Sequence, residues 1–235
     1  MRAVVLSVFI LSVLVWAGAS AEDAQFVAAI LDGEKFACAG AILNEKWIVT
    51  TGHCVKVLDP KDIKVVVGTE DYTKPGQTLT VASIEEHPNF GDITTFNYDI
   101  VLLKLASDIK LDDKTRNIAL RGSDIQSNEL LQITGWKYDT NTNLKSLKSE
   151  AIKNNNDCGR LSSIEADNLF CLVKSQNETH TGELGPRDLQ GGPIVGAEKK
   201  LDGIIYTLVK PKKIIGLAMR LNNFSKWIKE TIQKK

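Results

Sequence analysis

Apolar residues gather in short runs along this chain, and glycine, proline, asparagine and aspartate stand between the runs. Runs rich in Val, Ile, Leu and Thr, punctuated in this way, predict β-strands. The first half carries six, at 25–31, 37–43, 47–51, 63–68, 79–85 and 100–105. The second half carries six more, at 130–136, 146–152, 168–173, 192–195, 201–209 and 215–221. A polar connection near 106–129 lies between the two groups. Short strands at regular spacing predict a sandwich or barrels rather than βαβ units. The period changes at the end of the chain. Phe224, Trp227, Ile228, Thr231 and Ile232 recur at helical spacing with lysines on the other face. That pattern predicts a terminal amphipathic helix packed on the body.

The start of the chain reads as a removable leader. Arg2 precedes a run of 14 apolar or small residues, Ala3 to Trp16, and Ala19-Ser20-Ala21 supplies a small-x-small cleavage pattern. A membrane span needs about 18 apolar residues or more, so a signal peptide over 1–21 is expected rather than an anchor. The remaining 22–235 holds 28 basic and 29 acidic side chains, a net charge of −1. No whole-molecule field therefore draws it to nucleic acid. The charge is unevenly spread, because 209–235 carries eight basic residues against Glu230 alone. Those lysines are either a solvated face or a surface for a polyanion.

Four cysteines in a secreted chain imply two disulfides, with three connectivities open. Local pairing, Cys38–Cys54 and Cys158–Cys171, is the simplest. Zinc is the competing use, and no C-x-x-C or H-x-x-x-H spacing supports it. Two sequons make Asn177 and Asn223 candidate glycosylation sites. No glycine-rich phosphate loop is present, and no cofactor or metal is expected.

Five fragments carry further meaning in their order: Thr51-Gly52-His53-Cys54, Asp99 in Asn97-Tyr98-Asp99-Ile100-Val101-Leu102-Leu103, Thr134-Gly135-Trp136, Gly191-Gly192-Pro193-Ile194-Val195, and Trp227-Ile228. On these residues the sequence resembles the trypsin/chymotrypsin-like serine proteases over nearly all of 22–235. The resemblance implies an all-β fold of two six-stranded antiparallel barrels, the first over about 22–115 and the second over about 116–221, with a C-terminal helix over 222–235. It also implies that His53 stands at the catalytic base and Asp99 at the carboxylate that fixes the base's tautomer.

The same resemblance exposes three departures. The family's Gly-Asp-Ser-Gly-Gly-Pro corresponds to Asp188-Leu189-Gln190-Gly191-Gly192-Pro193. Gln190 stands where the serine should be, and an amide has no hydroxyl to form an acyl-enzyme. Leu189 replaces the aspartate that pairs with a cleavage-generated N-terminal ammonium, and no Ile-Val-Gly-Gly occurs near the start. In the specificity pocket Leu184 falls at the base, and Tyr206-Thr207-Leu208 replaces the family's Ser-Trp-Gly wall. The disulfide that braces this region is missing, with Pro186 near one of its positions.

The expectation is therefore a secreted, catalytically inactive serine protease homologue that acts by binding. Its expected partners are extracellular proteins such as proteases or their inhibitors, with polyanion binding through 209–235, and neither nucleic acid nor a membrane. The alternatives are an active trypsin-like endopeptidase with a non-standard nucleophile, or a ligand carrier using the relic cleft.

Overall fold

The computed structural model describes residues 25–91, 98–138, 141–152, 167–174, 185–209 and 214–234. Within them the chain forms two closed antiparallel β-barrels of six strands each, followed by one helix. The first barrel is built from β1 (Val27–Asp32), β2 (Lys35–Asn44), β3 (Trp47–Thr50), β4 (Ile63–Val67), β5 (Gln77–Glu86) and β6 (Val101–Leu105). The second uses β7 (Leu130–Lys137), β8 (Asn141–Ile152), β9 (Leu169–Lys174), β10 (Pro193–Val195), β11 (Leu201–Leu208) and β12 (Ile214–Arg220). Going round the first barrel the order is β1-β2-β3-β6-β5-β4, and the second repeats that order with its own six strands.

Side chains alternate across each strand, and this decides what the barrels enclose and what joins them. On β1, Ala28 and Ile30 point into the first barrel, while Val27, Ala29 and Leu31 point outward. On β6, Val101, Leu103 and Leu105 fill the same interior, and Leu102 faces the other way. Those outward residues are buried too, because the second barrel covers them. Trp47, Ile100 and Leu102 meet Leu201, Ile204 and Met219 across the seam. Helix α1 (Leu221–Lys234) lays Phe224 and Ile228 on that seam and keeps Lys226, Lys229 and Lys234 exposed. The connection between the barrels is tied down by a buried ion cluster. Arg121 donates to Glu129 Oε1 at 2.7 Å and to Asp202 Oδ1 at 3.0 Å. Asp202 spends its other oxygen on the Gly196 N–H.

One strand departs from the sequence pattern. β8 starts at Asn141, five residues before the predicted 146, because β7 continues the ladder through Lys137↔Asn141 and Gly135↔Lys145. The added stretch is rich in Asn and Thr, which read as a loop, and pairing to a neighbouring strand overrides that local preference.

Candidate functional site

The site lies where the two barrels meet, and each barrel contributes one side of it. The first barrel supplies His53 from the turn after β3. The turn is possible because position 52 is glycine: a Cβ there would come within 2.5 Å of the Phe90 ring. Cys54 is bonded to Cys38 on β2, with Cα atoms 6.0 Å apart, so the turn is fixed to the barrel wall. Asp99 precedes β6 and is buried. Its Oδ1 accepts the His53 backbone N–H at 2.7 Å and its Oδ2 accepts from His53 Nδ1 at 2.5 Å. Both carboxylate oxygens are thus spent on one residue. The ring cannot turn, and its Nε2 is left as the outward lone pair of a general base.

Cys54 Sγ lies 3.8 Å from His53 Nε2, so Cys38, Cys54 and His53 come together as a possible donor set for a metal. The two sulfurs are bonded to each other and offer no thiolate, so the group does not fit a metal.

The second barrel supplies the turn 188–192 and the start of β10. Gly191 has φ +72, and a Cβ on it would meet the Ala39 carbonyl at 2.1 Å. Glycine there lets the turn press onto β2, where the Ala39 N–H donates to the Gln190 carbonyl at 2.8 Å. Gln190 is thereby held, half-buried, against the strand that carries Cys38. Leu189 has φ +60, the left-handed region that costs a non-glycine residue about 1–2 kcal/mol. Its side chain is fully buried among Ile133, Phe170 and Ile205. Its described neighbours in that cluster are all apolar and offer an ammonium no partner.

Asp188 takes up a task for which its sequence context gives little signal. Its Oδ2 accepts the Gly185 N–H and its Oδ1 accepts the Tyr138 N–H, each at 2.7 Å. The carboxylate therefore fastens 185–188 to the end of β7. A Gly-Pro-x-Asp turn hints at the local bond, but nothing in the sequence announces Tyr138, 50 residues away. Arg187 stacks over the Tyr138 ring at 3.4 Å from its centroid and reinforces the same contact.

This arrangement has a chemical consequence. An oxyanion hole needs free backbone N–H groups on the nucleophile and on the residue two before it, here Gln190 and Asp188. The Asp188 N–H is already donated to the Gly185 carbonyl at 3.1 Å. The described parts of the two facing walls are joined as well. Thr207 Oγ1 and the Leu208 N–H both donate to the Pro186 carbonyl, at 3.0 and 3.4 Å, joining the β11 edge to the facing loop. The Leu208 side chain turns into the barrel core. Tyr206 lies edge-on against the His53 ring with centroids 5.3 Å apart. Burial and the charge of Asp99 push its phenol up to about 12, so it stays protonated beside the base.

Of the residues singled out from sequence, His53, Asp99, Gln190, Tyr206, Thr207 and Leu208 are placed in this region. Leu184, Asn177, Cys158 and the leader over 1–21 lie outside the described residues. Cys171 is disulfide-bonded. Asn223 is exposed at the start of α1, and its amide nitrogen donates to the Asp167 carbonyl and to Asn168 Oδ1. Among the described residues no helix is long and apolar enough to cross a membrane.

Comparison with known proteins gives a consistent set of relatives. A family model described as Trypsin matches residues 15–228. Trypsin 5G1 of Aedes aegypti is 31% identical over 123 residues, which cover 52% of this chain and 44% of that protein. The match thus spans less than half the length of the mosquito protein. Trypsin of Phaedon cochleariae is 28% identical over 209 residues, 82% of this chain and 78% of that protein. Among solved structures, neuropsin, a serine protease expressed in the limbic system of mouse brain, superposes with a TM-score of 0.78. That alignment covers 92% of this chain and 97% of neuropsin, and at 22% identity it speaks to the fold alone.

Proposed function

The chain belongs to the trypsin family, and from that premise we propose that it is a secreted member that cuts no peptide bond and acts by binding extracellular proteins. The observation that carries this reading is Gln190. It stands at the nucleophile's position of the family motif and has no hydroxyl to give up. Loss of a triad nucleophile lowers kcat by about 10⁶ in the subtilisin example, so the remaining dyad has nothing to activate. The engaged Asp188 N–H and the wall-to-wall hydrogen bonds at Pro186 support the same reading, because oxyanion and substrate side chain would each need groups that are already in use. The hydrogen bonds that join these walls at Pro186 also argue against a carrier that uses the relic cleft.

The partner class follows from the family: proteases or protease inhibitors, for which an unreactive copy of the fold serves as cofactor, decoy or regulator. The exposed lysines of α1 belong to the basic stretch 209–235 and offer such a partner, or a polyanion, a positive face.

A fluorophosphonate probe tests the core of the proposal. The protein should remain unlabelled and should not hydrolyse peptide substrates. Gln190→Ser alone should also stay unlabelled, because the new hydroxyl would still lack an open oxyanion hole. Labelling of the natural chain would overturn the proposal, and labelling of the single variant would remove the argument from the backbone.

A further inference from the structure

A cavity of about 360 Å³ opens where the start of β1, the connection between the barrels, β7 and the turn after β10 converge. None of its lining residues belongs to the dyad, to the turn that carries Gln190 or to the β11 wall. Its volume is in the lower part of the range of about 300–1,000 Å³ typical of small-molecule sites.

Its lining divides by chemistry. Phe26, Ile118 and Val195 give it an apolar part. Arg116 and Lys199 give it positive charge, and no acidic side chain lines it among the described residues. The acids behind it are engaged elsewhere. Asp202 holds Arg121 and the Gly196 N–H, and Glu198 holds Arg121 and Lys200. The Arg116 guanidinium has no carboxylate partner among the described residues.

Thr134 is the second, independent observation. It lies on the same face of β7 as Gln132, two residues earlier, and both line the cavity. Thr134 is only 2% exposed, and its hydroxyl makes no hydrogen bond among the described residues. The hydroxyl is not sealed from solvent, and a ligand oxygen in the cavity would give it a partner.

We infer that this cavity is a binding site for a small organic carboxylate with a compact hydrocarbon body. The carboxylate pairs with Arg116 and accepts from the Thr134 hydroxyl. The hydrocarbon packs on Phe26, Ile118 and Val195. The charge-assisted bond from Arg116 carries most of the discrimination between an acid and a neutral ligand of equal length.

Octanoate and octan-1-ol are the probes, titrated into ¹⁵N-labelled secreted protein and read by amide shifts. Octanoate should move the amides of Gln132, Thr134 and Gly196 and bind about tenfold more tightly than octanol. Arg116→Gln should weaken octanoate about tenfold and leave octanol unchanged. Thr134→Val should weaken octanoate severalfold at nearly constant shape. If the valine variant does not fold, Arg116→Gln, at an exposed position, still decides the matter. Equal binding of acid and alcohol, shifts centred on His53 instead, or no binding at millimolar octanoate would each overturn the assignment. So would octanoate binding only to a chain begun at Gln25, which would give the cavity to the acidic residues Glu22 and Asp23 of the protein itself.

Discussion

The two sides of the cleft differ in how far they keep the trypsin family's residues, and the contrast shows which parts of a catalytic site are also parts of a fold. On the first-barrel side the machinery is intact. His53 and Asp99 share two hydrogen bonds, the turn is pinned by Cys38–Cys54, and Gly52 lies under Phe90. Each of those residues has a structural task that does not depend on catalysis. Asp99 is buried and would be costly with His53 removed, and no side chain larger than hydrogen fits at position 52. On the second-barrel side, several positions that serve only chemistry in the family carry other residues here. Leu189 is core, Leu208 is core, and the Asp188 N–H is engaged. The glycines survive there, because Gly191 is needed to dock the turn on β2 whatever the turn carries.

The largest effect expected from this contrast comes from restoring the family aspartate. Leu189→Asp places a carboxylate in an apolar cluster that offers it no ammonium among the described residues. Leaving a charge buried and unpaired costs about 3–5 kcal/mol, comparable to the whole stability of a marginal domain. The variant should be retained in the cell or melt far below the parent in thermal denaturation. A parent-like melting temperature would mean that an ammonium does reach this position, and the two sides of the cleft would then be equally preserved.

A middle-sized effect is expected at Asp188. An asparagine at this position could accept from only one of the two N–H groups that the carboxylate now holds. The other would face an amide NH₂, at a cost of about 1–3 kcal/mol. Asp188→Asn should speed hydrogen exchange at the Gly185, Tyr138 and Leu208 amides while leaving the His53 ring resonances in place. Movement of the His53 resonances as well would show that the two sides are one cooperative unit, and the contrast would lose its basis.

How far the sequence reached follows the same line. Strand positions were legible because alternation and turn residues repeat the barrel's demands at every strand, and 101–105 is an example. The early start of β8 was not, since an Asn- and Thr-rich segment became strand only through its neighbour β7. Gln190 and Leu189 stood out because they break a short contiguous motif. The work of Asp188 did not, because its partner is far away in sequence. Arg121 with Asp202, 81 residues apart, and the cavity around Arg116 and Thr134 were hidden for the same reason. They exist only once the barrels and their connection have come together.

The smallest expected effect concerns the far edge of the preserved side. His87 precedes Asp99 in the first barrel and stacks on Tyr98 at 5.0 Å, with Phe224 and Trp227 of α1 against its ring. Its Nδ1 accepts the Asn89 N–H, a bond that protonation at that atom would break. Burial among these rings lowers its pKa below the usual imidazole value of 6.5. The sign follows from linkage. The folded state resists the proton that the unfolded chain takes up, so stability is full above about pH 6.5 and declines as pH falls from there toward the lowered folded value. The ring is partly exposed, which keeps the decline shallow. It should appear first as faster hydrogen exchange in α1, because Phe224 and Trp227 lose a neutral neighbour. His87→Gln should flatten that pH dependence between pH 7.5 and 5.5. An undiminished slope in the variant would assign the acid sensitivity to other groups, and an α1 that exchanges no faster at pH 5.5 would show that the aromatic packing holds the helix whatever the charge on His87.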